Sequence, residues 1–326
     1  ALLAYSSLSL KTSKNEIISI ILGNLAAGLE CEENGNIAIS KTKVLNKIDE
    51  LEKKLKFENW GLKLKVLVVG YGIQGKKRKS VANNDCVFIV DPFYEKADFK
   101  DIYDVPLNLF DSALICTPDN VKNEIILYLL NNKKNVLVEK PLLDSRKIKL
   151  SDIQQAIKKN KVTCYTAYNH RFEPHFINFK NYLNKNDLGK HYFLRMFYGN
   201  GTARLVKESK WRDKQGGVVN DLASHILDTY LFWFKNRNIT FKIFQNNRFE
   251  NKSSDHMLFG SNDKIKISAE ISMISWKNHF FTDLFSERGS IHIDSLCKWG
   301  PSTFTSRRRV FPSGIPKEKK KIVVKD

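Results

Sequence analysis

Two short stretches of the chain combine residue types that could handle a proton and a developing charge. In "NVLVEKPLL", residues 135–143, an apolar run leads straight into Glu139 and Lys140, and Pro141 then forbids further strand pairing. A solvated turn is the plain reading of an isolated Glu-Lys pair. An ammonium held at the end of a buried strand could instead polarise a reacting oxygen. In "WRDKQGGVVNDLASHILDTYLFWF", residues 211–234, the chain is apolar nearly all round from Val218 onward, the mark of a buried helix. Asp221, His225 and Asp228 stand at i, i+4 and i+7, on one narrow stripe of that helix. Burying such ionisable groups is costly unless they pair or face a polar cavity. The stripe fits a structural Asp–His hydrogen bond, a metal site for which no further ligand is evident, or a general base. In the last case His225 takes a proton, and Asp221 orients and supports the imidazole.

A third stretch, "GYGIQG", follows the apolar run "LKVLVV" directly and places Gly70, Gly72 and Gly75 in G-x-G-x-x-G spacing. The first glycine of such a loop makes the tight turn, the second lets backbone approach a pyrophosphate, and the third lets helix and strand pack closely. The amides near Ile73 and Gln74 would face the phosphates at the positive end of the helix dipole. Asp91 ends the next apolar run about 20 residues later, where an acid accepts the ribose hydroxyls of NAD and repels a 2′-phosphate. Lys76, Lys77 and Arg78 beside the loop relax that preference toward NADP. A glycine turn without a ligand is the alternative.

The elements that must carry these groups read clearly. Strands are expected over 64–70, 86–91, 113–118, 135–140 and 162–169, with helical patterns between several of them, such as 119–132. Continuous apolar runs at this spacing imply strands buried on both faces, hence a parallel sheet with helices on each side. After about residue 172 come a helix, "HYFLRMFYGNG", a long helix over 217–234, and then "ITFKIFQ", "HMLFGS", "KIKISAEISMIS" and "SIHIDSL". Successive strands without intervening helices predict an antiparallel or mixed sheet in a second domain.

Bulk properties narrow the class. The 326 residues suffice for two cores, and no run of 18 apolar residues exists, so no membrane association is expected. "ALLAYSSLSLK" lacks the basic start of a signal peptide. Cys31, Cys86, Cys116, Cys164 and Cys297 are scattered without C-x-x-C spacing, which predicts a reducing cytoplasm and no disulfide or metal site. The net charge of +19 comes from lysines spread along the whole chain, and no nucleic-acid module accompanies it. An anionic small molecule, such as a phosphorylated sugar or a dinucleotide, fits that charge equally well, and no nucleic-acid partner is expected.

The order of motifs resembles the Gfo/Idh/MocA family, the glucose–fructose oxidoreductase and inositol dehydrogenase relatives. It runs from the glycine loop through "CTP" at 116–118, "EKP" at 139–141, "YNHRF" at 168–172, "WR" at 211–212 and "GG" at 216–217 to D-x-x-x-H-x-x-D at 221–228. The resemblance covers roughly residues 63–315. It implies an α/β fold with a Rossmann-type NAD(P)-binding domain over 63–170. A substrate and oligomerisation domain with an open, mostly antiparallel sheet would follow over 171–326. It also implies hydride transfer between nicotinamide and a sugar, cyclitol or nucleotide-sugar, in a homo-oligomer formed through the second sheet. Lys140, Asp221 and His225 then match the catalytic positions, and Glu139 lies near the cofactor ribose. Thr117, Pro118, Asn169, Arg171, Trp211 and Arg212 match positions near cofactor or substrate. His170 is a departure, since relatives often carry Arg or another residue there. A non-catalytic dinucleotide or sugar sensor on the same scaffold is the rival, but a sensor has no need of Lys140, Asp221 and His225 together.

The two ends fit less well. Residues 1–58 read as a helix, a short turn and a second helix opened by Ser40. Their "NLAAG…NGN…IS" pattern resembles the C-terminal tail of ribokinase-type sugar kinases, and a helical extension peculiar to this chain is the alternative. At the other end "KKKIVVKD" reads as a strand starting, so the second domain is expected to be truncated. The basic runs at 307–309 and 317–321 are expected to form a solvated loop, with contact to a substrate phosphate as the alternative.

Overall fold

The computed structural model describes residues 40–57, 64–209, 213, 216–235 and 238–323, together with Leu22 and Leu29. The chain divides into two compact units, Ala1–Val66 with Ala82–Val87, and Leu67–Val81 with Phe88–Asp326. In the first unit, helix α1 (Lys41–Phe57) opens at Ser40, whose Oγ accepts a hydrogen bond from Lys43 N at 3.3 Å. That contact is the cap expected for a serine at this place. Val44 of α1 is buried against Leu22, Leu29 and Ile48. The rest of the kinase-like segment lies outside the described residues.

The glycine loop and the Glu-Lys-Pro turn belong to a five-stranded sheet in the order β2-β1-β3-β4-β5. Its strands are β1 (Val66–Val69), β2 (Cys86–Val90), β3 (Ser112–Ile115), β4 (Asn135–Val138) and β5 (Cys164–Thr166). Helices α2 (Ile73–Ala82), α3 (Asp119–Asn131) and α4 (Leu150–Asn160) follow β1, β3 and β4 respectively. The β3–β4 and β4–β5 ladders are parallel, and every residue of β1 is buried. A strand covered on both faces requires that apolar continuity, which is why "VLVV" shows no alternation. The strands share one direction, so Gly70, Asp91, Thr117, Glu139 and Asn169 all fall beyond their carboxyl ends, along one edge. Ligands of open parallel sheets bind at that edge.

The eight-stranded sheet runs β13-β12-β11-β10-β6-β9-β8-β7. It comprises β6 (His191–Gly199), β7 (Lys242–Asn247), β8 (His256–Ser261), β9 (Lys266–Ser272), β10 (His279–Ser286), β11 (Gly289–Asp294), β12 (Ser302–Arg308) and β13 (Lys317–Val323). Only β6 and β9 pair in parallel; the other neighbours are antiparallel. Helices α5 (Pro174–Lys185) and α7 (Ser224–Phe234), with the short α6 (Ala203–Lys207) between them in sequence, contribute Phe176, Phe179, Val206, Ile226 and Trp233 to a core completed by Leu194, Phe280 and Leu284 of the sheet. Phe179 stacks on Trp233 at 3.9 Å, and the Trp233 indole donates to Phe176 O at 3.1 Å. Truncating such a fully packed aromatic costs about 3–5 kcal/mol, so this core holds α7 firmly against the sheet.

Two expectations need correction. The basic runs are no loop: Arg307 and Arg308 end β12, and 317–321 lies in β13, an edge strand paired antiparallel to β12 from Ser302↔Val323 to Arg308↔Lys317. Lysines keep such an edge soluble and unattractive to further strands, which is how a run of like charge becomes compatible with a sheet. The helix expected over 217–234 is also not uniform. It begins with a π turn at Val219–Ala223 and becomes α-helical only from Ser224.

Candidate active site

The glycine loop separates what the fold requires from what it leaves open. Gly70 has φ +88°, and a Cβ there would stand 2.8 Å from Cys116 O. A Cβ on Gly75 would come within 2.0 Å of Gly70 O. Both positions are closed to any side chain by the protein itself. At Gly72 a Cβ would meet nothing within 4 Å. Packing therefore leaves Gly72 free to carry a side chain, whereas a ligand lying on the backbone would require its absence. Gly72, Ile73 and Gln74 are exposed while Gly75 is buried, so the start of α2 is open to solvent.

Asp91 holds this loop. Its Oδ2 accepts from Tyr71 N at 2.6 Å, and its Oδ1 accepts from Phe93 N and Tyr94 N at 2.8 and 2.9 Å. Burial alone would raise its pKa, but the three amides and Lys100 outweigh burial and hold the carboxyl below its usual range. An ionised carboxylate offers about four acceptor sites, so one stays open to a hydroxyl. Thr117 and Pro118 follow β3, and Thr117 Oγ1 is buried with no hydrogen-bond partner among the described residues. The neighbouring Cys116 thiol is pushed up to about 12 by burial and by Glu139, which keeps it protonated and unreactive.

The Glu-Lys-Pro turn after β4 is fixed at its side chains by two ion pairs. Arg78 of α2 donates to Glu139 Oε1 through Nε at 2.7 Å and Nη2 at 2.6 Å. Lys140 Nζ donates to Asp221 Oδ1 at 2.7 Å and to Asp221 O at 2.8 Å. Asp221 thus pairs with the lysine, a partner that the helical stripe did not indicate. Asp221 lies within the π turn, a distortion frequent at functional sites. Its carbonyl, turned toward Lys140, serves as a second acceptor.

His225 lies in the first turn of α7 and is 7 % exposed, with Nδ1 unpartnered among the described residues. Burial, then Lys140 and Lys298, bring its pKa down to about 3. The ring is therefore neutral at physiological pH and has a lone pair to accept a proton. His170, in the short helical turn Asn169–Phe172, stacks on it with ring centroids 4.3 Å apart and planes at 25°. His170 is 1 % exposed, both its ring nitrogens lack partners among the described residues, and burial holds it neutral as well. Arg171 instead turns to Asp228, bonding it through Nε at 2.8 Å and through Nη2. The second acid of the stripe is thereby neutralised by an arginine from a different element. Asn169 borders a small cleft of about 120 Å³ together with Phe172, Glu173, Cys297 and Lys298. Trp211 and Arg212 lie outside the described residues.

Lys298 is a group that sequence reasoning missed. The residue as a whole is exposed, yet burial of its ammonium lowers its pKa, opposed by Glu173 and reinforced by Lys140 and Lys77. It sits in the turn Cys297–Trp299, which Glu173 anchors by accepting from Cys297 N at 3.0 Å. A lone lysine among fifty-four lysines and arginines carries no spacing signal that would have marked it. Among the described residues no group of three or more His, Cys, Asp or Glu side chains could hold a metal ion. Nor is any helix among them long and apolar enough to cross a membrane.

Residues 64–168 match the family GFO_IDH_MocA, described as an oxidoreductase family with an NAD-binding Rossmann fold. The oxidoreductase YrbE of Bacillus subtilis, itself uncharacterized, is 29 % identical over 137 residues, 41 % of this chain and 38 % of that protein. Myo-inositol 2-dehydrogenase of Thermotoga maritima is 29 % identical over 123 residues, 36 % of this chain and 34 % of that enzyme. The chain thus matches little more than a third of the length of these relatives. Among solved structures, levoglucosan dehydrogenase in complex with NADH superposes with a TM-score of 0.66 at 16 % identity, over 79 % of each chain. An NAD binding oxidoreductase from Klebsiella pneumoniae gives 0.62 at 17 %, again over 79 % of each chain. Both likenesses establish the fold, a Rossmann-like parallel sheet with helices and a second, mostly antiparallel sheet.

Proposed function

We propose that this chain is an NAD-dependent oxidoreductase that interconverts a hydroxyl and a carbonyl on a sugar, a cyclitol or a nucleotide-sugar. The observation that carries the reading is the union of Lys140 with Asp221 in the cluster that also holds the neutral His225. The residues present fit a dinucleotide: Gly72 leaves its backbone open, Asp91 keeps one acceptor site, and Thr117 Oγ1 awaits a partner. Gly70, Gly72, Ile73, Gln74, Gly75, Asp91, Thr117, Pro118 and Glu139 would hold it, with Asn169, Arg171, Trp211 and Arg212 nearer the substrate end. When bound, its nicotinamide would supply the hydride acceptor or donor. Lys140 stabilises the charge that develops on the substrate oxygen, and its own position is held by Asp221. His225, neutral and nearly dry, takes the hydroxyl proton in oxidation and returns it in reduction. Residues 63–170 serve as the cofactor domain and residues 171–326 as the substrate domain, with the open sheet as the contact between copies. Residues 1–58 belong to the same reading as a kinase-like extension with no part in the chemistry.

The test is incubation with NAD and a panel of sugars, cyclitols, sugar phosphates and nucleotide-sugars while reduced nicotinamide is followed. Turnover of a polyhydroxy substrate is expected. Tight NADH binding with no turnover of any substrate in either direction would replace the enzyme by the sensor.

A further inference from the structure

We infer that Lys122 is a positioning residue for Lys140, a second lysine on which the site depends without touching the substrate. The inference rests on the role proposed for Lys140. Lysines are almost never fully buried without partners, because an ammonium stripped of water must find replacements for its hydration shell. Lys122 is 2 % exposed. It lies in the first turn of α3, directly after the Cys116-Thr117-Pro118 loop. Its ammonium has three N–H donors, and the structure supplies an acceptor for each. One is the carboxylate of Asp119, the residue that opens α3. The others are the carbonyl oxygens of Glu139 and Pro141, each at 3.0 Å.

Those two carbonyls flank Lys140 on either side. One ammonium therefore grips the backbone before and after the residue that would meet the substrate oxygen. Such charge-assisted bonds are roughly twice as strong as neutral ones. The counter-ion Asp119 cancels the charge of Lys122, and burial keeps the side chain away from any ligand, so its influence must pass through the turn. Arg78 fixes the Glu139 side chain from α2, and Asp221 fixes the Lys140 side chain from the π turn. Lys122 adds the backbone clamp from α3, the helix that directly follows the loop carrying Thr117. Misplacement of a reacting group by about 1 Å can cost about a hundredfold in rate.

The experiment compares Lys122→Met, Lys122→Arg, Lys140→Ala and the double variant Lys122→Met/Lys140→Ala. The readouts are kcat and KM on the substrate found by the screen, NADH affinity, and hydrogen exchange of the amides at 139–142. Lys122→Met should lower kcat by about 10–100-fold while NADH affinity stays within about threefold. It should also speed exchange across the turn, and Lys122→Arg should recover much of the loss. Because Lys122 acts through Lys140, the double variant should be no slower than Lys140→Ala alone. Independent, multiplying losses would overturn the inference, as would normal kcat in a folded Lys122→Met. If Lys122→Met does not fold, Asp119→Asn, which unpairs the ammonium from its counter-ion, replaces it in the same cycle. Full turnover in Lys140→Ala would instead reject the lysine mechanism itself, independently of what Lys122→Met does.

Discussion

The glycine loop and the cluster around His225 lie on the same edge of the first sheet but are built on opposite principles. In the loop, Asp91 takes up the amides of Tyr71, Phe93 and Tyr94. In the cluster, both nitrogens of His170 and one of His225 are buried without a partner among the described residues. A satisfied polar group stabilises its surroundings, whereas each unsatisfied buried one costs about 1–3 kcal/mol. The difference teaches that the dinucleotide recognition proposed above would be a matter of backbone shape, prepared in advance. In the proposed reaction the proton falls to His225, one of the groups that the fold leaves under-satisfied, and such groups call for a functional explanation.

The sharpest way to break that comparison is a crossed pair of variants. His225→Ala should reduce turnover by about 10²–10⁴-fold and leave NADH affinity nearly unchanged. Gly72→Val should do the reverse, abolishing NADH binding while the melting temperature barely moves, because no protein atom stands in its way. Fluorescence titration with NADH and steady-state kinetics on both variants check this. Near-normal turnover in His225→Ala would remove the imidazole from the mechanism.

A smaller effect concerns acid. Both imidazoles are held neutral below the ordinary value of 6.5, so the unfolded chain binds protons that the folded one refuses. Stability from this source is complete above about pH 6.5 and declines as pH falls, by up to about 1.4 kcal/mol per pH unit for each ring. For His225 the decline runs down toward about pH 3. His170→Phe keeps the stack, removes the unpartnered nitrogens and should flatten the acid limb by about half. It should also raise stability near neutral pH by about 1–3 kcal/mol. Urea unfolding between pH 5 and 8, set as conditions of about one Debye length near 10 Å, reads both effects. An unchanged pH slope would mean that His170 is hydrated in solution.

The smallest effect tests the cradle. Asp91→Ser should weaken NADH binding twice over, by loosening the Tyr71–Tyr94 turn and by removing the open acceptor site, and should narrow the preference over NADPH. Parallel titrations with the two cofactors measure it. A variant that binds NADPH as the parent binds NADH would assign Asp91 to the ribose. A uniform loss for both cofactors would assign it to the loop alone.

How much of this was legible depended on range along the chain. "VLVVGYGIQG" declares its strand, turn and helix because the backbone demands at Gly70 and Gly75 are met or failed by those residues themselves. "EKP" likewise announces the end of β4, since proline has no amide to continue a ladder. Asp221 and His225 were found from helical spacing, but spacing could not show which partner each would choose. The apolar pattern of 218–234 suits an α-helix throughout, and nothing in a period near 3.6 residues marks one π turn within it. Trp211 and Arg212 stay at the level of motif, outside the described residues.

The sequence by itself therefore determined the sheet with its glycine loop, the lysine at the end of β4, and the buried helix with its ionisable stripe. Each of these is a local rule of backbone geometry or periodicity, satisfied among near neighbours. The tertiary structure alone decided that Asp221 would serve Lys140, that Arg171 would neutralise Asp228, and that His170 would lie against His225. It alone brought Lys298 to the cluster and wrapped the ammonium of Lys122 around the turn. These pairings join side chains from separate elements, and their distances are set by how helices and sheets pack, which no spacing along the chain records.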